Sequence, residues 1–423
     1  MSKRPPFDPI LHAQHLKATE NYAVLNNTLH AWTGKYWRAL SFEEAQREAL
    51  IWLTAHSGGA LIGARQARDA VNTALLWLPE FDNTQPSELL IPLQNGYLLY
   101  DDGKFVLKPH DKSLGVHYII NCDYLPSAPL PALFTAFVEQ ILQDTAVRGR
   151  VQEYLGYTLL GDARYQRGQV WIGTGANGKG VLANIVQAFH QHVATLNLAE
   201  LGGFALSHLP GSSLIYIDEV PSCKIDDAIP KRLIAGEKAP IRRHYQPTID
   251  VRILAKWLIL SNNIPRVEDQ SDGFWRRFDM VPFNVTIPES ERDPLLAEKI
   301  IKDEMSGVLN WLLEGLLRLL NRGRFDPIKP AAISQLDNYS RLRTDSVRGW
   351  VDDEDIGLLT TCTTHKDAVY QAYADWVRKN GMLPQSAPRF WSALSHMMPD
   401  LNTEGRVYDH GKRLRSCNVR LPS

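Results

Sequence analysis

QVWIGTGANGKGVLANIVQAF, residues 169–189, decides the fold, because strand, glycine-rich loop and helix patterns follow one another directly. Glycines at 173, 175 and 178 let the backbone bend so that successive N–H groups face one anion. The helix that follows presents its positive N-terminal end, and Lys179 adds a charge for the β and γ phosphates of a nucleotide. The alternative is a glycine-rich surface turn with one lysine. The predicted phosphate-binding residues are Gly173, Thr174, Gly175, Ala176, Asn177, Gly178, Lys179, Gly180 and Val181.

Position 180 departs from the usual phosphate-loop pattern. The lysine of such loops is normally followed by Ser or Thr, whose hydroxyl ligates Mg²⁺. Here Gly180 and Val181 follow Lys179, and neither can supply that ligand. Magnesium then rests more on water, phosphate oxygens and Asp218. The sequence therefore predicts nucleotide binding more strongly than fast hydrolysis.

Two further apolar runs end in polar residues, SLIYIDE (213–219) and AKWLILSNN (255–263). Such runs are typical of buried parallel strands, whose carboxyl ends share one edge of a sheet. We expect Asp218 to hold Mg²⁺, Glu219 to polarise the attacking water, and Asn262 to position that water and sense the γ-phosphate. Solvated turns at strand ends are the alternative.

DGFWRRFDMVPF, residues 272–283, places Arg276 and Arg277 beside aromatic residues. A guanidinium held in this way can act as an arginine finger, which enters the site of a neighbouring subunit and stabilises charge on the transferred phosphoryl group. The alternative is a surface ion pair.

Basic residues concentrate between 231 and 252, where Glu237 and Asp250 are the acids and His244 and Tyr245 interleave. Cations with aromatic neighbours suit a hairpin that tracks a nucleic-acid strand, although a solvated charged face has the same composition. The cations are Lys231, Arg232, Lys238, Arg242, Arg243 and Arg252. The predicted DNA contacts are Arg242, Arg243, His244 and Lys256 near a pore, and Arg389, Lys412, Arg413 and Arg415 near the C-terminus.

The pattern along the chain divides it into four predicted parts. Residues 1–125 form an N-terminal α+β accessory domain, with tryptophans at 32, 37 and 52 and a hairpin around Asp102-Gly103. Residues 126–168 form a helical collar, and residues 169–325 an α/β core with a parallel sheet and the predicted nucleotide site. FDPIKP (325–330) is typical of a linker. Residues 340–423 follow the order helix, helix, hairpin, which is that of a winged helix.

Composition is that of an ordinary globular protein, with 44% apolar and 22% charged residues and a net charge of −1. DNA binding must therefore be local. The four cysteines form no C-x-x-C pair, which argues against a zinc site or a disulfide framework. No apolar run reaches the roughly 18 residues that span a bilayer, so we expect a cytoplasmic protein with no membrane partner.

With these elements in order, the chain resembles superfamily 3 helicases, and more closely the primase-helicases of satellite phages, plasmids and poxviruses. The family's basic hairpin and sensor asparagine are matched by GEKAPIRRHYQPTIDVRILAKWLILSNNIPRV, and its arginine-finger segment resembles SDGFWRRFDMVPF. Its N-terminal region resembles LIPLQNGYLLYDDGKFVLKPH and VQEYLGYTLLGD. The resemblance covers about residues 85–423. It implies a hexameric AAA+-type ring that uses ATP and Mg²⁺ to move on single-stranded DNA, typically 3′→5′, at a replication fork in a bacterial host.

The same resemblance bears on priming and on the alternatives. The family often carries a catalytic primase upstream, whereas residues 1–90 show no paired-acid strand motif, so we expect any primase to be a separate polypeptide.

Gly180 motivates a second hypothesis, a DNA-binding initiator or scaffold ring that uses nucleotide for assembly with little hydrolysis. A third, an AAA+ ATPase acting on protein, conflicts with the basic hairpin and the C-terminal unit.

Overall fold

The computed structural model describes residues 7–56, 58, 60–80, 89–198, 201–220, 224–225, 228–243, 246–264, 266–267, 272–380, 382–409 and 412–422. His244, Tyr245 and the predicted turn at His410-Gly411 lie outside the described residues. Within these ranges, no helix combines the length and hydropathy needed to cross a bilayer.

The N-terminal unit packs three helices on a small antiparallel sheet. Its elements are α1 (Ile10–Thr19), β1 (Tyr22–Leu25), β2 (Thr28–Trp32), β3 (Trp37–Ala39), α2 (Phe42–His56) and α3 (Ala64–Trp77). The sequence predicted an α+β unit here but did not locate these three strands. Asn26 and Asn27, at φ 50° and 56°, form the tight turn between β1 and β2, because asparagine tolerates the left-handed region that this turn requires.

A second antiparallel sheet follows, made of β4 (Leu90–Leu93), β5 (Gly96–Asp101) and β6 (Lys104–Lys108). Asp102 and Gly103, at φ 42° and 80°, connect β5 to β6, so the predicted hairpin is confirmed. One face of the sheet buries Ile91, Leu93 and Leu98 against the helices of the central unit. The sheet is thereby part of the largest hydrophobic core.

Helices α4 (Ala132–Ile141) and α5 (Thr145–Thr158) occupy the predicted helical collar. Asp144 caps α5, since its carboxylate accepts from the N–H groups of Ala146 and Val147.

The central unit is an α/β fold around one parallel sheet. Its elements are β7 (Gly168–Ile172), α6 (Lys179–Phe189), β8 (Val193–Thr195), β9 (Leu214–Asp218), β10 (Lys224–Ile225), α7 (Ala228–Ile234), β11 (Lys238–Arg243), β12 (Gln246–Arg252), β13 (Lys256–Ser261), β14 (Arg266–Val267), α8 (Asp272–Trp275) and β15 (Phe278–Pro282). The sheet order is β15–β7–β13–β9–β8, and every pairing is parallel. The three predicted strands are confirmed, and β8 and β15 extend the sheet at its two edges.

The chain then returns to the collar through α9 (Leu296–Asp303) and α10 (Met305–Arg322). Glu304 accepts hydrogen bonds of 2.9 Å from the N–H groups of Leu133 and Phe134 and so caps α4. Helix α10 packs so closely on α5 that a Cβ at Gly315 would lie 2.6 Å from the carbonyl of Gln152. Two buried helices therefore meet almost backbone to backbone.

The C-terminal unit comprises α11 (Ala331–Thr344), α12 (Ser346–Asp353), β16 (Gly357–Leu358), β17 (Thr364–His365), α13 (Lys366–Lys379), α14 (Ala387–Met397), β18 (Gly405–Asp409), β19 (Lys412–Cys417) and β20 (Val419–Arg420). Strands β17, β19 and β18 form an antiparallel sheet. Trp350, Tyr373 and Phe390 fill its core. The predicted order of helix, helix and hairpin is present in α13, α14 and β18–β19.

A buried charge network ties the edge strand β15 to its surroundings. The Asp279 carboxylate lies 2.7 Å from Arg150 on α5, 3.0 Å from Lys329 and 3.5 Å from Arg167. Burial alone raises the Asp279 pKa, but the three cations outweigh it and hold that pKa at about 2. Lys329 also lies 2.5 Å from Asp337 on α11. The predicted linker 325–330 is thus bonded to the core.

Candidate nucleotide-binding site

Lys179 joins the ends of two neighbouring strands. It is the first residue of α6, and its ammonium donates to the Gly173 carbonyl at 2.7 Å and to Asn262 Oδ1 at 2.7 Å. Gly173 follows β7 and Asn262 follows β13, which pairs with β7 so that Ser261 lies beside Ile172. The ammonium therefore lies at the carboxyl edge of the sheet, where open α/β folds bind ligands.

The loop before Lys179 has the geometry that its glycines predict. Gly175 and Gly178 adopt φ angles of 103° and 79°, and Ala176 adopts 50°. These left-handed residues turn the backbone so that the loop curls over the start of α6, and the helix begins directly at Lys179. A phosphate at this position would meet main-chain N–H groups and the positive end of the helix.

One side-chain bond and one main-chain bond fix the loop to the segment that follows β15. Asn177, which is buried, donates from its amide to the Phe283 carbonyl at 3.3 Å. The Ile287 N–H donates to the Ala176 carbonyl at 2.8 Å. Gly173 has no room for a side chain, since its Cβ would lie 2.5 Å from the Phe283 carbonyl. This anchorage was missed from the sequence, because neither the Asn177 side chain nor the main-chain bond of Ile287 indicates its partner locally.

Asp218 and Glu219 are exposed at the end of β9, in the strand beside β13. Burial lowers the pKa of Lys179, while both carboxylates act on the ammonium in the opposite sense. Glu219 adopts φ 64°, a conformation that a non-glycine residue rarely holds and that clusters at functional sites. The two acids thus lie within electrostatic range of the phosphate-loop lysine.

Tyr216 shares a strand face with Asp218 and is a residue that the sequence reasoning missed. Burial, and then the nearby Asp218 carboxylate, raise the Tyr216 pKa to about 12. The alternation of side chains along β9 was the available signal, because residues two apart in a strand point the same way. Tyr216 therefore lies close enough to Asp218 for the two groups to influence each other electrostatically.

Gly180, the second residue of α6, faces open space: no atom lies within 4 Å of the position that its Cβ would take. Lack of space therefore does not explain why glycine, and not serine or threonine, occupies position 180. A serine side chain fits there without displacing any described neighbour.

Arg276 and Arg277 lie at the opposite edge of the sheet from the phosphate loop. They precede Phe278, which pairs with Gly168 at the amino end of β7. Arg276 is exposed, whereas Arg277 is half-buried and donates to the Gly273 carbonyl at 2.7 Å. The structure brings neither arginine to Lys179 and Asn262 of its own chain, and the arginine-finger role stays a prediction.

The basic segment forms the hairpin β11–β12. Ala239, Ile241 and Val251 are buried on its inner face. The outer face exposes Lys238, Arg242 and Arg252 together with Asp250, and Lys238 lies directly opposite Arg252. Arg243 ends β11, and the predicted contact His244 lies outside the described residues. The alternation thus leaves a net cationic outer face that includes Arg242, and the role of Arg242 in DNA binding stays a prediction.

Lys256 was expected near the pore, and that expectation is wrong. Its side chain is 2% exposed, and its ammonium donates to the carbonyls of Leu160 (2.6 Å) and Leu254 (2.9 Å). It also lies 4.6 Å from the Tyr157 ring centroid. Burial lowers the Lys256 pKa to about 8. The residue therefore binds main-chain acceptors beneath the sheet, because it begins the central strand β13 instead of ending the exposed hairpin.

In the C-terminal unit the predicted contacts lie on two elements. Arg389 is exposed on α14, and Arg413 and Arg415 are exposed on β19, where they share one face. Lys412 begins the same strand. These positions form a helix-and-hairpin surface, and their role in binding stays a prediction.

Comparison with known proteins gives three findings. A family described as "Family of unknown function (DUF5906)" matches residues 171–277, the span from β7 to Arg277. A protein of Acanthamoeba polyphaga mimivirus named "Putative helicase L207/L206" is 24% identical over 300 residues, which cover 63% of this chain and 30% of that protein. The chain thus matches about a third of that relative's length.

The third finding concerns the fold. The solved structure described as "The apo structure of NrS-1 C terminal region (305-718)" aligns with a TM-score of 0.56 and 12% identity, over 98% of this chain and 100% of that one. Another structure of the same region aligns with a TM-score of 0.54 and 13% identity. The chain therefore shares its fold with that region along almost its whole length, and it is similar in sequence to a protein named as a helicase.

Proposed function

We propose that the chain is an ATP-dependent DNA helicase or translocase of superfamily 3 that acts in replication of a phage, plasmid or integrated mobile element. The observation that carries the proposal is the bridge from Lys179 to Gly173 and Asn262, which gathers two strand ends beside Asp218 and Glu219. A relative named as a helicase supports the same class of activity.

The residues at this edge fit ATP with Mg²⁺. The fit rests on the glycine-rich turn, the N-terminus of α6, one ammonium and two carboxylates that act on that ammonium. Bound MgATP supplies the phosphoanhydride and the divalent charge. In this proposal Lys179 binds the phosphate oxygens and Asp218 holds the metal, directly or through water. Glu219 polarises the attacking water, and Asn262 positions it.

The ring and the DNA contacts are further parts of the proposal. Arg276 is exposed at the sheet edge away from its own phosphate loop, which supports a site completed by the next protomer of a hexameric AAA+-type ring. The cationic face of β11–β12 suits the lumen of such a ring. The unit of α12–α14 with β18–β19 supports a winged helix that contacts duplex DNA through Arg389, Lys412, Arg413 and Arg415. The 3′→5′ direction and a separate primase are carried over from the family resemblance.

A second candidate function follows from Gly180. Without a hydroxyl on α6, Mg²⁺ loses one protein ligand, and the chain could act as a replication initiator or scaffold ring that uses nucleotide for assembly. Both candidates predict DNA binding that weakens steeply with salt, so salt dependence does not separate them.

ATP hydrolysis measured with and without single-stranded DNA, together with particle mass with and without nucleotide, separates the two. The motor predicts hydrolysis that DNA stimulates and a nucleotide-dependent ring that displaces a duplex strand. A stable ring with negligible hydrolysis on every DNA substrate supports the scaffold instead. Absence of DNA affinity at low salt contradicts both.

A further inference from the structure

A cleft of about 640 Å³ opens between the first sheet (β1–β3) and the second sheet (β4–β6). We call it the N-terminal cleft, and its lining includes Trp32, Tyr97, Lys108, His110, Asp111 and Lys112. It lies in the part of the chain that the nucleotide site does not use. Its volume falls within the range of small-molecule and nucleotide sites.

Hydrogen bonds that join each sheet to a neighbouring connecting segment fix the walls of the cleft. The Trp37 N–H donates to the Val116 carbonyl at 2.7 Å, and its indole N–H donates to the Lys112 carbonyl at 3.0 Å. The Tyr97 hydroxyl donates to the Lys35 carbonyl at 2.6 Å. A ligand entering the cleft therefore meets a preformed surface, which lowers the entropy cost of binding.

Aromatic side chains form one wall. Trp32 is half-buried at the end of β2 and packs on the buried Trp37, with ring centroids 5.6 Å apart. Tyr97 is buried beneath the cleft, and His110 packs edge-on against it at 5.0 Å. A half-exposed tryptophan supported by a second tryptophan offers a rigid platform on which a base can stack.

Positive charge lies beside this wall. Lys108, on β6, and Lys112 are both exposed. Lys112 lies 3.8 Å from the exposed carboxylate of Glu20, so Lys108 is the stronger candidate for a phosphate contact. The nearby Asp111 carboxylate accepts from the Ser113 N–H and hydroxyl at 2.8 and 2.7 Å, and these bonds lower the Asp111 pKa. The Asp111 carboxylate is thus held by hydrogen bonds from Ser113 within its own turn.

We propose that the N-terminal cleft binds a nucleobase with its adjoining phosphate, the base stacking on Trp32 and the phosphate pairing with Lys108. The choice of a single DNA strand as the source of that base rests on the proposed function; a free nucleotide presents the same chemistry. The site gives the N-terminal unit a role as a second strand contact, separate from the phosphate loop.

The test compares Trp32→Ala with Trp77→Ala. Trp77 is 45% exposed in the same N-terminal unit, on α3, and does not line the cleft. Binding of a fluorescent oligo-dT is measured without ATP in a Lys179→Ala background, so the readout does not depend on the motor. We expect Trp32→Ala to weaken binding about tenfold and Trp32→Phe to recover most of it. Trp77→Ala keeps the parent affinity.

Two further arms sharpen the result. Lys108→Ala lowers the slope of log affinity against log salt by about one, whereas Lys104→Ala, on the same strand but outside the cleft, leaves it unchanged. Competition by dTMP distinguishes the sources: effective competition by dTMP at the oligonucleotide's concentration assigns a free nucleotide, and weak competition assigns a strand. Both outcomes support the site.

The proposal is overturned if Trp32→Ala and Trp77→Ala bind oligo-dT and dTMP equally well while both proteins remain folded by circular dichroism. That outcome leaves the helicase proposal standing. Conversely, absence of ATP hydrolysis in the wild type defeats the helicase proposal and leaves the oligonucleotide comparison intact.

Discussion

Lys179 and Asn262 are 83 positions apart in the chain, and their side chains meet at 2.7 Å between ammonium and carboxamide oxygen. The contact exists because β13 lies directly beside β7 in the sheet. It links the residue proposed to bind phosphate to the residue proposed to sense it. Changes at Asn262 should therefore affect turnover without altering the fold.

Asn262→Ala and Asn263→Ala form a matched pair at the end of β13. We expect Asn262→Ala to lower kcat for ATP about 100-fold, since one positioned polar group near the transition state is lost. Asn263→Ala keeps most of the activity. Steady-state hydrolysis and MgATP binding measure both changes, and equal kcat values for the two variants contradict the sensor role.

Gly180→Ser restores the hydroxyl that phosphate loops normally place after the lysine. The new side chain enters open space, so the fold accommodates it, and we expect faster hydrolysis and a lower Mg²⁺ requirement. Gly180→Ala is the control, because it adds a Cβ and helix propensity without a ligand. Equal magnesium titrations for Ser and Ala variants would show that position 180 does not face the metal.

Arg276→Ala should leave MgATP binding unchanged and lower hydrolysis by about 10³-fold or more, as expected for an arginine finger. Arg277 donates to Gly273 within its own chain, so Arg277→Ala should affect stability as well. Mixing Arg276→Ala with Glu219→Gln protein tests action between subunits. Mixed rings recover part of the activity when one protomer supplies the arginine and its neighbour the glutamate; no recovery contradicts a shared site.

Asp279→Asn removes the anion at the centre of the buried charge network. Leaving Arg150, Arg167 and Lys329 without it should lower the free energy of unfolding at pH 7 by about 3–5 kcal/mol. Denaturant titration measures the loss. Asp293→Asn, at an exposed Asp–Lys pair, is the control and should produce no measurable change.

The same network makes stability depend on pH. The folded Asp279 pKa of about 2 lies below its ordinary value of 3.8, so its contribution is complete above pH 4 and is lost as pH falls through 2. The pKa difference corresponds to about 2 kcal/mol. Burial raises the Asp337 pKa and the Asp279 carboxylate adds to that shift, so the difference between wild type and Asp279→Asn reports the coupled Asp279–Asp337 pair. A constant wild-type-to-mutant difference from pH 5 to 2 contradicts this assignment.

The central unit was predictable because each strand carried its own signal. QVWIG, SLIYIDE and AKWLILSNN are short runs dominated by apolar residues, and all three form parallel strands. Helix α6 begins at Lys179, where the loop pattern placed it. The Asp102-Gly103 hairpin was equally local, since two adjacent positive φ angles require such residues.

Other features depended on tertiary packing that the sequence does not encode locally. Lys256 was predicted to be a DNA contact because it follows a cationic hairpin, yet it begins a central strand and is buried. Asp279 lies in the segment DGFWRRFDMVPF (272–283), but its partners Arg150 and Lys329 are distant in sequence. Charge alone did not distinguish a buried network from an exposed surface.

The central claim is that a triphosphate lies where Lys179 meets Asn262. MgATP binding and hydrolysis by wild type, Lys179→Ala and the exposed control Lys302→Ala, each with and without single-stranded DNA, test it most directly. The account predicts DNA-stimulated hydrolysis in wild type and Lys302→Ala, and background rates in Lys179→Ala. Wild-type turnover by Lys179→Ala, or absence of MgATP binding by wild type, contradicts it.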